Sequence, residues 1–164
     1  MINEEDMNLE SCGYVFLRVG QIEAELDRCG YIKEYMPQSR YENIKGLPLH
    51  KYGGGPFCKF RIARGVHKSG VYILKKNDVP VYVGQCFNLY KRWSSNGYGG
   101  ISPRNCFKGG QETNCRINNL ICLELQNGAS FELYFHELSP EKFRLNEVEI
   151  MLITNLRPDW NRTF

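Results

Sequence analysis

No apolar run in this chain approaches the roughly 18 to 20 residues that span a bilayer. The acidic start MINEEDMNLE has neither the basic nor the apolar region of a secretion signal, so the chain is expected in the cytoplasm, away from membranes. Zinc-binding spacing is missing too, since there is no C-x2-C pair and His50, His67 and His136 stand far apart. The 7 cysteines form an odd set without a regular framework, which argues against a disulfide scaffold and makes reduced thiols the expected state. The first 64 residues hold no helix-turn-helix and no repeat. A length of 164 residues suits one modest core with room for an appended arm.

Acidic residues are scarce in the middle of the chain. Residues 51–120 carry 12 basic and 2 acidic side chains, net +10, against −4 for residues 1–50 and −3 for residues 121–164. A block this cationic attracts a polyanion such as DNA or RNA, although the whole chain is only +3; a solvated Lys/Arg surface is the other reading of the same charge.

What is present sharpens from Gly70 onward. Before it, GQIEAELDRCG reads as a short glycine-bounded helix and PFCKFRI as a short strand. GVYILKKNDVPVYVG, residues 70–84, reads as a hairpin, and NLYKRWSSN as a helix opened by Asn88. After a glycine-rich connector come TNCRINNLICLEL, a helix capped by Thr113, and SFELYFHEL, a strand alternating Phe131, Leu133 and Phe135 against Glu132, Tyr134 and His136. SPEKFRLNEVEIMLITNL closes the series as a helix with Ser139 as its cap, ended by Pro158. The order predicts an α+β fold: a small sandwich with a short mixed or antiparallel sheet flanked by helices, residues 65–164, preceded by an arm or subdomain, residues 1–64.

The hairpin holds a tyrosine in each strand, Tyr72 and Tyr82. Whether they share a face depends on register, because side chains alternate along a strand. A two-residue Asn77-Asp78 turn sets them on opposite faces; a three-residue tip, Lys76 to Asp78, pairs them directly. Shared chemistry demands the second. Tyrosine is also an ordinary resident of half-buried strands, which is the competing interpretation.

In the last helix, at about 100° per residue, Glu149 falls near the middle of a stripe made by Leu145, Leu152, Ile153 and Leu156, while Glu147 points the other way. An unpaired buried carboxylate is costly, so Glu149 is expected to neutralise, to pair with an arginine or to bind a cation. Leu89, Arg92, Trp93 and Asn96 share a face of the earlier helix, so Arg92 can point inward beside Trp93 or cover it from solvent.

Two phenols, an arginine and a carboxylate in a basic setting fit phosphodiester hydrolysis better than acyl transfer. That reaction needs an aligned nucleophile, positive charge on the phosphoryl oxygens and help for the leaving alkoxide. A lone carboxylate suits a Mg²⁺ ion that keeps several waters, a tyrosine hydroxyl can orient water, and a guanidinium fork grips phosphate.

These residues resemble the GIY-YIG nucleases. GVY at 70–72 stands for the first family element, YVG at 82–84 for the second, NLYKRW for the helix with its arginine, and VEIMLITNLRPDWN for the terminal element. The resemblance covers about residues 68–164. It implies that Tyr72 activates or orients the attacking water with Tyr82 helping, that Arg92 steadies the scissile phosphate, that Glu149 holds Mg²⁺ or Mn²⁺, and that Asn161 braces the site. Many members carry His or Tyr where this chain has Asn96; Tyr98 or His67 can stand in. Some restriction enzymes of the family have an insertion before an Asn-Arg-Ile segment like the one at 114–117, which makes Arg116 the second candidate for the phosphate.

The resemblance implies a divalent-metal-dependent DNA endonuclease with no small-molecule cofactor. A compact chain without the tail modules of homing enzymes suits a restriction-type, site-selective enzyme. Arg104, Asn105, Lys108 and Gln111 of the connector, with Lys91, can supply groove and phosphate contacts. Cutting both strands then takes a homodimer or sequential nicks, and a symmetric dimer suits a palindromic target. The alternatives are a structure-selective or single-strand nuclease stacking bases on Phe107, Tyr98 and Trp160, a catalytically idle nucleic-acid-binding module, and an interaction domain whose tyrosines are simply core.

Overall fold

The structure, a computed structural model, describes residues 8–95 and 97–162. Its strands are β1 (Asn8–Ser11), β2 (Tyr14–Ala24), β3 (Glu34–Tyr35), β4 (Phe57–Cys58), β5 (Phe60–Ile62), β6 (Gly70–Lys76), β7 (Val79–Cys86) and β8 (Phe131–Glu137). Its helices are α1 (Leu89–Trp93), α2 (Glu112–Gln126) and α3 (Lys142–Leu156). The fold is α+β, as expected. The main sheet runs β1-β2-β8-β6-β7 with β5 paired to β2, while β3 and β4 form a separate ladder. Along the main path every pairing is antiparallel. No helix among the described residues is long and apolar enough to cross a membrane.

By compactness the chain divides into two units, one of residues 8–22, 62–90 and 130–162, the other of residues 23–61 and 91–129. Compactness divides the chain elsewhere than at the boundary expected near residue 64.

In the first unit, one face of the sheet presents Phe16, Val71, Ile73, Val83 and Tyr134 to Leu145, Val148 and Leu152 of α3. Each such side chain contributes about 1.5–3 kcal/mol when taken fully out of water, so this contact fixes α3 against β6 and β7. Tyr134, expected on the open face of a half-buried strand, is buried in this core, so β8 carries buried side chains on both faces. Leu74, Tyr72, Leu133 and Phe131 fill the opposite face and are almost completely buried.

Three local expectations need correction. GQIEAELDRCG is not a helix: residues up to Ala24 continue β2, and Gly20 follows a bulge whose extra residue is Val19. Gly20 has φ of 146°, a conformation other residues rarely adopt, and the register shifts between Arg18 and Gly20. A glycine inside a strand pattern thus passed for a helix boundary. The other two concern helix starts: α2 begins after Gln111 and α3 after Glu141, and in neither does the expected Thr113 or Ser139 occupy the cap position. The end of α3 follows expectation, with Arg157 turning into the left-handed region at φ 46° just before Pro158.

The second unit has its own core of Phe57, Ile101, Cys106, Phe107 and Cys115. Its central polar clamp is Asn118 of α2, wholly buried. Asn118 accepts a hydrogen bond from the Cys58 N–H at 3.0 Å and donates to the Cys58 and Tyr98 carbonyls, each at 2.7 Å. A buried amide satisfied in this way fixes α2, β4 and the connector in one register. All 7 cysteines are free thiols. Hydrogen bonding to Cys122 and burial together push the Cys58 thiol up, so it stays protonated.

Candidate active site

The site begins with the hairpin tip. Asn77 and Asp78 have φ of 46° and 67°, the pair of left-handed residues that closes a two-residue type I′ turn. Lys76 therefore pairs with Val79 and Lys75 with Pro80, a register that alone would send Tyr72 and Tyr82 to opposite faces. Between Leu74 and Lys75 the register shifts: Leu74 pairs with Tyr82 and Tyr72 with Gly84. Val81 is the extra residue of this bulge. The expected three-residue tip and direct tyrosine pairing are thus replaced by a two-residue tip and a bulge, with the same outcome for the faces. The two phenol rings lie side by side, centroids 6.1 Å apart and planes at 49°.

Tyr72 lies across the backbone of Gly84. A Cβ on Gly84 would overlap the Tyr72 ring and hydroxyl, so the glycine of YVG is a seat for the first phenol. Tyr72 is 1% exposed and Tyr82 7%, so both rings are buried.

β7 is the last strand in the sheet order, and the segment after α3 occupies part of its free edge. Trp160 donates its backbone N–H to the Val81 carbonyl at 2.9 Å. The Asn161 side chain meets Val83 twice at 2.8 Å, accepting from its N–H and donating to its carbonyl. Val83 sits between Tyr82 and Gly84, so Asn161 holds the strand at the point where the phenols are seated and satisfies an edge that would otherwise be open.

Glu149 is half-buried rather than central in the apolar stripe of α3. Val148 joins Leu145 and Leu152 in the core, which turns the buried stripe until Glu149 lies about 70° from its centre at 100° per residue. There it accepts a hydrogen bond from Gln85 Nε2 at 2.7 Å, and the same nitrogen meets Asn146 Oδ1. Gln85 and Asn146 escaped the sequence analysis. Asn146 was legible in principle, since a spacing of three places it beside Glu149 on the helix. Gln85 was not, because only the packing of α3 on β7 brings the two elements together.

Alternation along β7 separates these groups. Tyr82 and Gly84 face one side, Val83 and Gln85 the other, so the phenols and the Glu149 cluster lie on opposite faces of an edge strand. A group reached from both must sit at the free edge. Arg157, Asn161 and Arg162 line a cleft of about 580 Å³ at the end of α3, adding two cations that sequence reasoning did not single out.

The remaining candidates belong to the second unit. Arg92 is half-buried, its guanidinium 5.7 Å from the centre of the Tyr98 ring. Trp93 is fully buried against Phe60 and Tyr98, so Arg92 lies beside the tryptophan. Arg116 is half-buried on α2. In the connector, Arg104, Lys108 and Gln111 are exposed, as is Lys91 on α1. Asn105 instead accepts a hydrogen bond from the Gln111 N–H at 3.2 Å through its side-chain oxygen. That engagement makes it a loop brace before it is a base reader. Tyr98 is 2% exposed and Phe107 7%, so these two rings are core, while Trp160 is half-buried and packs on Phe131. Of the two residues expected to stand in at Asn96, Tyr98 is buried, whereas His67 is exposed beside Asn88 and the Tyr90 ring. Asn96 lies outside the described residues.

No protein-family model matches the chain, and no curated protein matches it. Among solved structures, that of a point mutant of bacteriophage T4 EndoII is similar, with a TM-score of 0.49 and 23% identity, covering 71% of this chain and 87% of that one. At that level the residues themselves have to carry any functional reading.

Proposed function

We propose that this chain is a divalent-metal-dependent DNA endonuclease of GIY-YIG type, acting site-selectively on duplex DNA. The observation that supports it most is the register of the hairpin: a bulge and a glycine seat put two phenols on one face of an edge strand whose other face adjoins Glu149. A fold that needed tyrosines only as core would not require that combination.

The residues fit a single hard cation. Among the described residues no cluster of three His, Cys, Asp or Glu side chains exists. Glu149 is a single carboxylate of the kind Mg²⁺ or Mn²⁺ uses when substrate phosphate and water complete the shell. Glu149 would hold the ion, which supplies positive charge to the phosphate when bound. Tyr72 orients or deprotonates the attacking water, Tyr82 keeps the first ring and the water in place, and Asn161 fixes the strand beneath both. Arg92, and after it Arg116, is assigned the phosphate-gripping role on guanidinium chemistry alone. Lys91, Arg104, Lys108 and Gln111 are assigned to DNA contacts.

Burial of Tyr98 and Phe107 weighs against base stacking and hence against the single-strand alternative. The test is a panel of duplex plasmid, single-stranded circle, flap oligonucleotide and RNA, each with Mg²⁺, Mn²⁺ or EDTA. The expected outcome is discrete fragments from the duplex in either metal and none in EDTA. Preference for flaps or single strands would move the protein to the structure-selective class, and duplex binding without cutting would make it a binding module.

A further inference from the structure

We infer that Gln85 is a positioning residue that presets the Glu149 carboxylate for its cation, an inference that rests on the endonuclease reading. Gln85 follows the YVG element directly, is half-buried, and turns its side chain to the α3 face of β7. A primary amide in such a place must find partners for two N–H groups. Both acceptors come from α3, namely Glu149 Oε2 at 2.7 Å and Asn146 Oδ1.

The chemistry of the partners fixes the orientation. An ionised carboxylate only accepts, so the nitrogen of the Gln85 amide, not its oxygen, faces Glu149. The second hydrogen on that nitrogen then turns the Asn146 oxygen toward Gln85. One donor group joins three half-buried side chains from two elements. Glu149 therefore meets a cation with much of its rotational freedom already spent, and preorganisation of this kind strengthens binding without a new contact.

A neutral donor suits the task. Lysine or arginine at position 85 would orient the carboxylate equally well, but its charge would cancel the carboxylate and repel the incoming cation. An amide orients and leaves the charge intact. This separates a metal-positioning role from a merely structural hydrogen bond, which a lysine preserves.

The experiment compares Gln85→Leu, Gln85→Lys and Asn146→Ala with the natural protein and with Glu149→Gln. Mn²⁺ binding is followed by electron paramagnetic resonance of the free ion in the absence of DNA, with thermal unfolding recorded for each protein. Plasmid cleavage is then measured across Mg²⁺ concentrations. Gln85→Leu is expected to raise the half-saturating Mn²⁺ and Mg²⁺ concentrations about 10- to 100-fold, the range for outer partners of a metal ligand. Gln85→Lys should do the same while unfolding at the natural temperature, and Asn146→Ala should fall between. At saturating Mg²⁺ the Gln85→Leu rate should recover to within a few-fold of the natural protein. Wild-type metal affinity in folded Gln85→Leu and Gln85→Lys overturns the inference and leaves the endonuclease reading standing. If the natural protein neither binds Mn²⁺ more tightly than Glu149→Gln nor cuts DNA, both fall together.

Discussion

Glu149→Gln is expected to lose about 10³-fold or more of the DNA cleavage rate while binding duplex DNA within about threefold of the natural protein at fixed salt. The substitution keeps length and volume, so α3 keeps its seat of Leu145, Val148 and Leu152 and the fold has no reason to change. It removes the one negative charge among the three hydrogen-bonded side chains, Gln85, Asn146 and Glu149. An amide oxygen is a poor substitute for a carboxylate toward a divalent ion, because charge dominates the binding of hard cations. Affinity for DNA, by contrast, comes mainly from cationic side chains on phosphate, and deleting an acidic group from a polyanion site does not weaken it. Single-turnover cleavage and a filter-binding isotherm at one salt concentration check the two halves separately.

Gly84→Ala is expected to damage both stability and activity. The added methyl group would occupy the volume of the Tyr72 ring, and Tyr72 is 1% exposed, with nowhere nearby to retreat. Overpacking of this kind costs about 1–3 kcal/mol. Displacing the phenol by as little as an ångström would cost about 10²-fold in rate if Tyr72 acts on the reacting water. Urea unfolding measures the first effect and cleavage at a temperature well below unfolding measures the second. A Gly84→Ala protein as stable as the natural one would mean that the seat is not where the structure has it.

Much of the first unit was legible because its signals are local. The hairpin, β8 and α3 each announce themselves through alternation, helical period or a terminal proline, whereas the apolar stripe read for α3 set Glu149 nearer the centre of the buried face than it lies. Register was legible only as a condition: the sequence shows that the tyrosines must share a face to act together, but not that Val81 bulges to arrange it. β2 was misread because Gly20 punctuates it like a helix end, when it adjoins the Val19 bulge of an 11-residue strand. Gln85 and the clamp of Asn118 depend on partners 64 and 60 residues away, and no window along the chain reveals such pairs. The aromatics Tyr98 and Phe107 looked available in a polar connector, yet that connector folds onto its own core.

The most direct test of a shared catalytic centre at the edge of β7 is a double-substitution cycle on single-turnover cleavage of duplex DNA, with Tyr72→Phe, Glu149→Gln and the two combined. Alone, Tyr72→Phe is expected to cost about 10²-fold, the lower end for a group that handles the proton of the nucleophile. Groups that act on one reaction centre are grossly non-additive, so the combined variant should be about as slow as Glu149→Gln alone. Losses that multiply, or a Tyr72→Phe protein that cuts at the natural rate, would contradict a single site built from the phenols and the carboxylate.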